Sequence, residues 1–222
     1  MKKAIGIGAV AAYLVCSGLP VYAEGGKFAM ALKAGTLGGG IEGIMKLTDQ
    51  FNARLGINMF EYSYGGTESD VDYDINLSLF TVAAILDWFP FQNGFHLSGG
   101  MMSNQNEVAI EAKAAGSYTI GDTTYTSAQV GSLTGNIDFN DVAPYFGLGW
   151  GTPFGKGNHW SLALDLGAIY QGSPNVSLST NGTLASNAAF QADLAREQSN
   201  VEDALDSFQF YPVASIGVAY KF

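Results

Sequence analysis

The 222-residue chain has one cysteine, Cys16, and two histidines. Cys16 lies in an N-terminal apolar segment expected to be removed, so no disulfide or cysteine-based metal site is expected in what remains. Charge is scarce: Asp, Glu, Lys and Arg make up 14% of the chain, against about 25% in soluble domains. Positive charge is scarcest, with ten basic residues against twenty acidic ones, which argues against nucleic-acid binding. HExxH, EF-hand and phosphate-loop patterns are missing, so no metal and no cofactor is expected. Beyond the N-terminal segment no apolar run reaches the length of a membrane helix. Aromatic residues make up 13%, too many for a disordered chain, and the composition is not that of a coiled coil.

The N-terminal segment reads as a secretory signal. Lys2 and Lys3 form a basic start, residues 4–16 an apolar stretch, and Pro20 a break before Val21-Tyr22-Ala23. Cleavage after Ala23 is expected, leaving one domain over 24–222 with a net charge of −12 once Lys2 and Lys3 are removed. Val15 precedes Cys16, where a lipoprotein signal carries a small residue, so acylation is not expected.

Alternation recurs along the rest of the chain. Trp160, Leu162, Leu164, Leu166, Ala168 and Tyr170 interleave with Ser161, Ala163, Asp165, Gly167, Ile169 and Gln171. In a strand these sets face opposite sides. One side is greasy with aromatics at its ends, and the other is small and polar, as in a strand between lipid and a polar lumen. Strands are predicted over 28–36, 41–47, 51–62, 73–86, 95–110, 142–150, 160–171 and 208–222, an even number. Connections 48–50, 87–94 and 151–159 are short. They alternate with polar stretches at 63–72, 111–141 and 172–207, with 37–40 as a short exception. That asymmetry separates periplasmic turns from outer loops in membrane barrels. A secreted all-β domain would also alternate, but it needs a charged exterior that the Gly-, Ala- and Ser-rich face does not supply.

The last predicted strand repeats the pattern: Ile216, Val218, Tyr220 and Phe222 alternate with Gly217, Ala219 and Lys221. With its terminal Phe and the signal segment, this resembles the C-terminal signature of small Gram-negative outer-membrane β-barrels of the OmpA-transmembrane, OmpX and OmpW type. The resemblance implies an all-β, eight-stranded antiparallel transmembrane barrel in the bacterial outer membrane. It also implies an assembly machinery that reads Ile216, Val218, Tyr220 and Phe222, with outer-membrane lipids and lipopolysaccharide as surroundings. A monomer is expected.

The chemistry-bearing residues are few. His96 and His159 each stand two residues before a serine, Ser98 and Ser161. Lipid A-modifying barrels use histidine and serine, but both histidines begin upward strands on the periplasmic side, where structural repetition accounts for them. No enzyme is expected. Lys33, Glu42, Lys46, Arg54, Asp165 and Lys221 are predicted to point inward, because charge facing lipid is costly. They would pair as a packed ionic interior, or form a gate for a small solute in a porin-like passage. The outer loops hold fourteen acids against Lys113 and Arg196. This reads as a solvated surface, with capture of divalent or other cationic partners as the sharper alternative. Ser117 to Thr126 reads as a hairpin with Gly121-Asp122 at its turn. Phe190, Leu194, Val201, Leu205 and Phe208 predict an amphipathic helix over 184–208 in the last outer loop, packing on the same protein by default. The expected role is structural or surface-interacting, with a narrow channel and a lipid A-modifying enzyme as alternatives.

Overall fold

The computed structural model describes residues 26–68, 71–114, 116–155, 157 and 159–222; the expected signal segment lies outside them. The strands are β1 (Phe28–Gly35), β2 (Gly38–Lys46), β3 (Phe51–Glu68), β4 (Val71–Trp88), β5 (Phe95–Asn104), β6 (Glu107–Ala114), β7 (Ser117–Ile120) and β8 (Thr123–Thr126). They continue as β9 (Leu133–Asp138), β10 (Val142–Trp150), β11 (Trp160–Tyr170), β12 (Asn175–Thr180) and β13 (Phe210–Lys221). Two helices, α1 (Ser127–Val130) and α2 (Ala188–Leu205), lie among them.

Eight strands pair antiparallel in a ring. From β1 the pairings run through β2, β3, β4, β5, β10, β11 and β13, and β13 pairs back onto β1. Alternation sets the two faces of the ring. Leu164 is 54% exposed and Leu55 67%, whereas Asp165 is 3% and Arg54 5%. With one face turned to each environment, a one-residue slip would put carboxylates outside and leucines inside, so register is strongly specified.

The lower end of the ring bears the turns at 47–50 and 89–94 and the connection from β10 to β11. On the lower part of β4, Val82, Leu86 and Trp88 face outward while Thr81, Ala83, Ile85 and Asp87 face inward. Above Phe80 the sides exchange character: Ser78, Asn76, Asp74 and Asp72 face outward, and Leu77, Ile75 and Tyr73 inward. On β3 the outward series changes from Leu55, Ile57 and Met59 to Glu61 and Ser63, and the inward series reaches Tyr62 and Tyr64. Met59 pairs with Phe80 and Glu61 with Ser78. The outer apolar band therefore ends at one level on both strands.

At that level the sheet also branches. β5 stays with the lower half of β4 and ends at Asn104. The Phe80 carbonyl accepts from the Gln105 amide, and the Phe80 amide donates to the Asn106 side chain. β4 then takes β6 as its new partner, followed by β9 and β12. The single strand predicted over 95–110 is thus broken, and the stretches 63–72, 111–141 and 172–207, read as loops, contain sheet. β9 and β12 escaped detection because each six-residue run carries only two apolar residues, and Gly, Asn and Asp among the others disfavour strands.

Above the ring, the β7–β8 hairpin turns at Gly121-Asp122, with Gly121 at φ +60°. Helix α2 begins at Asn187, whose side chain accepts from the amides of Ala189 and Phe190. It is shorter than predicted, ending at Leu205 before a 3-10 turn over Asp206–Gln209. Phe190 and Leu194 bury against Tyr118, Ile120 and Val130, with Leu133 and Leu178 of the sheet beside them. Phe208, expected on the helix stripe, is instead 57% exposed.

The lumen is filled. Leu37, Ile85, Met102, Tyr145, Ile169 and Val213 form an apolar upper plug. Ala29, Ala31, Ile44 and Ala219 pack with Phe154 of a lower turn. The Tyr145 ring lies where a Cβ on Gly147 or Gly167 would collide with it, so glycine makes room for the plug.

Candidate functional site

Charged side chains occupy the middle of the lumen, each delivered by the inward parity of its strand. Arg54 of β3 is the hub. Its Nε and Nη2 lie 2.8 Å from Asp87 Oδ2 and Oδ1, its Nη1 lies 3.4 Å from Glu42 Oε1, and Nη1 also meets Asp165 at 3.3 Å. Lys33 adds contacts of 3.3 Å to Glu42 and 3.1 Å to Asp165. Ser98 donates to Asp87 at 2.7 Å and accepts from Arg54 at 3.1 Å. The guanidinium fork suits three carboxylates arranged around it. Three carboxylates face Arg54 and Lys33, and His96 Nε2 lies 3.1 Å from Asp165 Oδ1 to complete the shell.

Of the six residues predicted inward, four are brought together: Lys33, Glu42, Arg54 and Asp165. The other two stand apart at the lower end. Lys46 binds Asp49 at 2.7 Å across the turn, and Lys221 donates to the Gly155 carbonyl at 3.1 Å. Near a strand end an inward lysine reaches the rim, so its ammonium stays with turn groups and water. Asp87 and His96 escaped sequence reasoning. Asp87 opens the connection predicted over 87–94, yet it shares parity with the inward Ala83 and Ile85. His96 stands at a predicted strand start, yet it shares inward parity with Ser98.

Neither histidine is hydrogen-bonded to its neighbouring serine. Ser98 is held by Asp87 and Arg54. His96 Nδ1 faces the Gly94 carbonyl at 3.2 Å. His159 Nδ1 faces the Lys221 carbonyl at 2.9 Å, and its ring stacks on Tyr220 with centroids 5.6 Å apart. Ile216, Val218 and Phe222 are exposed on the outward side, and Tyr220 packs edge-on to Trp160 and Phe222.

Two cavities of about 20 Å³ each flank the charged layer, and Lys33, Glu42 and Asp165 line both. Each has room for about one water molecule.

Three acids of α2 hold together the cap that this helix forms with the β7–β8 hairpin over the upper sheet. Asp193 accepts from the Tyr125 hydroxyl at 2.6 Å, Glu197 from the Gly121 amide at 3.0 Å, and Glu202 from the Val176 amide at 3.2 Å. The Tyr125 hydroxyl, with that of Thr123, holds the Asp193 carboxyl below its ordinary range, and the same bond pushes the Tyr125 phenol up. Lys113, 2.9 Å from Glu111, holds that carboxyl low. Among the described residues no group of three or more His, Cys, Asp or Glu side chains converges as a metal site would require.

No protein-family model matches the chain. No curated protein matches it. Among solved structures, Acinetobacter baumannii CarO2 is similar at 22% identity and a TM-score of 0.59, over 88% of this chain and 98% of that one. Acinetobacter baumannii CarO is similar at 21% identity and a TM-score of 0.54, over 89% of this chain and 98% of that one. At these identities the likeness is one of fold: the chain folds as a small Gram-negative outer-membrane β-barrel does.

Proposed function

We propose that this protein is an integral outer-membrane barrel whose lumen is closed by its own side chains and whose role is carried outside, on the upper sheet and cap. The observation that supports this reading is the burial of Arg54 among Glu42, Asp87 and Asp165 at the centre of the lumen. An ion pair network of this kind is costly to open, because each freed charge would remain buried. The apolar plug above it adds a second barrier. The outward apolar band, ending at Met59 and Phe80, supports insertion in a bilayer with the polar upper sheet above it.

Purified protein in planar lipid bilayers tests the reading. A closed barrel gives no single-channel steps at any voltage the membrane withstands. Reproducible steps that grow in Arg54→Gln would favour the narrow passage instead, through the one-water cavities that meet at Lys33, Glu42 and Asp165.

A further inference from the structure

We propose that the upper edge of β3, residues 60–68, is a docking site for an extended basic peptide segment that adds to the sheet as a further strand. The proposal rests on the outward role argued above and names its partner class.

The upper sheet has two edges, treated differently. At β12, the Val176 amide donates to Glu202 of α2, and that helix packs along the strand. At β3 no such cover is present among the described residues. β2 pairs with β3 only as far as Met59, while β4 pairs with it on to Glu68. The Phe51 carbonyl accepts from the Leu47 amide on the β2 side, and the Gln50 carbonyl accepts from the Phe89 amide on the other. Antiparallel strands alternate these directions residue by residue. The amides and carbonyls of Glu61, Ser63, Gly65 and Thr67 therefore point away from β4, with no strand to receive them.

Natural edges are usually blunted by lysine, proline or a bulge. Residues 60–68 contain neither lysine nor proline, and their pairing to β4 is continuous. The two sides of the edge also differ. On the inner side Tyr62 and Tyr64 are 54% and 55% exposed. A cavity of about 380 Å³ there is lined by Tyr64, Gly66, Thr67, Tyr73 and Ile75. On the outer side stand Glu61, Asp72 and Asp74, and an Asp74 oxygen leans over Gly65, 3.0 Å from where a Cβ would lie. Lys113 of the neighbouring β6 is bound to Glu111 and stands opposite Asp72, which also accepts from the Thr67 hydroxyl at 2.6 Å, so Glu61 and Asp74 are the acids that a partner would meet first. An added strand would thus lay alternate side chains against tyrosine and against carboxylate, and a segment alternating apolar and basic residues fits both. A second copy would instead bring the same acids together.

The test uses the full-length protein in detergent and a fluorescein-labelled peptide in which lysine alternates with valine, read by anisotropy. Saturable binding is expected. Ser63→Pro removes an edge amide while leaving the ring untouched, and should weaken binding about tenfold or more. Boiling-dependent gel migration checks that the variant folds; if it does not, Tyr64→Ser carries the same test. Glu61→Gln with Asp74→Asn should flatten the salt dependence. Unchanged binding in Ser63→Pro and Tyr64→Ser would mean charge attraction to the cap alone and would overturn the proposal. So would equal binding of a peptide alternating glutamate with valine, or a dimer of the protein that Ser63→Pro dissolves. Ser63→Cys labelled on intact cells by a membrane-impermeant maleimide separates the two readings. An unlabelled cysteine sinks the outward role and the docking edge together, whereas labelling without peptide binding sinks the edge alone.

Discussion

Below the level of Met59 and Phe80 the strands carry leucine outside and charge inside; above it the same strands carry carboxylates outside and tyrosine and isoleucine inside. One continuous hairpin, β3 with β4, thus obeys two opposite burial rules. Backbone geometry is the same in both halves, so the surroundings decide which face is greasy. In the lower half the polar groups sit in a narrow lumen and must pair with each other. In the upper half the apolar side covers the cap through Leu133 of β9 and Leu178 of β12, as in a soluble domain, while Tyr62 and Tyr64 of β3 stay more than half exposed.

The largest expected effect tests the lower interior. Arg54→Gln leaves Glu42, Asp87 and Asp165 short of their shared partner and should cost about 3–5 kcal/mol. Denaturant unfolding from lipid vesicles measures it. Adding Glu42→Gln should recover part of that loss, with a coupling of about 0.5–3 kcal/mol in a double-mutant cycle. Strictly additive changes would mean that the 3.4 Å contact is energetically empty.

The next prediction probes the exchange of faces directly. Leu55→Arg places charge on the outward side below the boundary and should destabilise the protein by about 2–4 kcal/mol. Ser63→Arg lies on the same strand and the same side but above it, and should stay within about 0.5 kcal/mol of the parent. Leu164→Arg on β11 should behave like Leu55→Arg. Equal costs on both sides of Met59 would erase the boundary.

The cap should fail separately from the ring. Phe190→Ala removes a ring packed edge-on to Tyr125, with centroids 4.8 Å apart, and opens the small core under α2. Limited proteolysis should then cut α2 readily while gel mobility still reports a folded barrel. Loss of the barrel as well would show that the two halves fold as one unit.

The smallest effect follows pH. The lowered Asp193 carboxyl contributes stability that is present above the ordinary carboxylate value of about 4 and is lost as pH falls through its folded value below that. The raised Tyr125 phenol contributes stability present below about 10 and lost as pH climbs through its higher folded value. Protection factors of the Gly121 and Phe190 amides, which divide out the intrinsic pH dependence of exchange, should fall outside that window and stay flat within it. A protection factor that changes between pH 5 and 9 would point to some other group as the latch.

Much of this was legible in the residues themselves. The alternation from Trp160 to Tyr170 marked a strand with one greasy side, and parity then assigned Lys33, Glu42, Arg54 and Asp165 to the other. That worked because strand period is two whatever the tertiary context, and because charge cannot rest against lipid cheaply. Asp87 obeyed the same parity but was hidden by its place beside a turn sequence. The short β9 and β12 carried too few apolar residues to be seen.

What alternation cannot encode is which strand lies beside which. The convergence of four strands' carboxylates and cations on Arg54 depends on ring closure, since Asp165 and Arg54 are distant in sequence and meet only across the lumen. The exchange of β5 for β6 beside β4, and the contrast between a covered β12 and an open β3, likewise come from pairing between distant segments. The local sequence determined the period and the sides of each strand, because those follow from backbone geometry and solvation of a single segment. Tertiary structure decided the neighbours, because a backbone edge accepts any strand that register and packing bring to it.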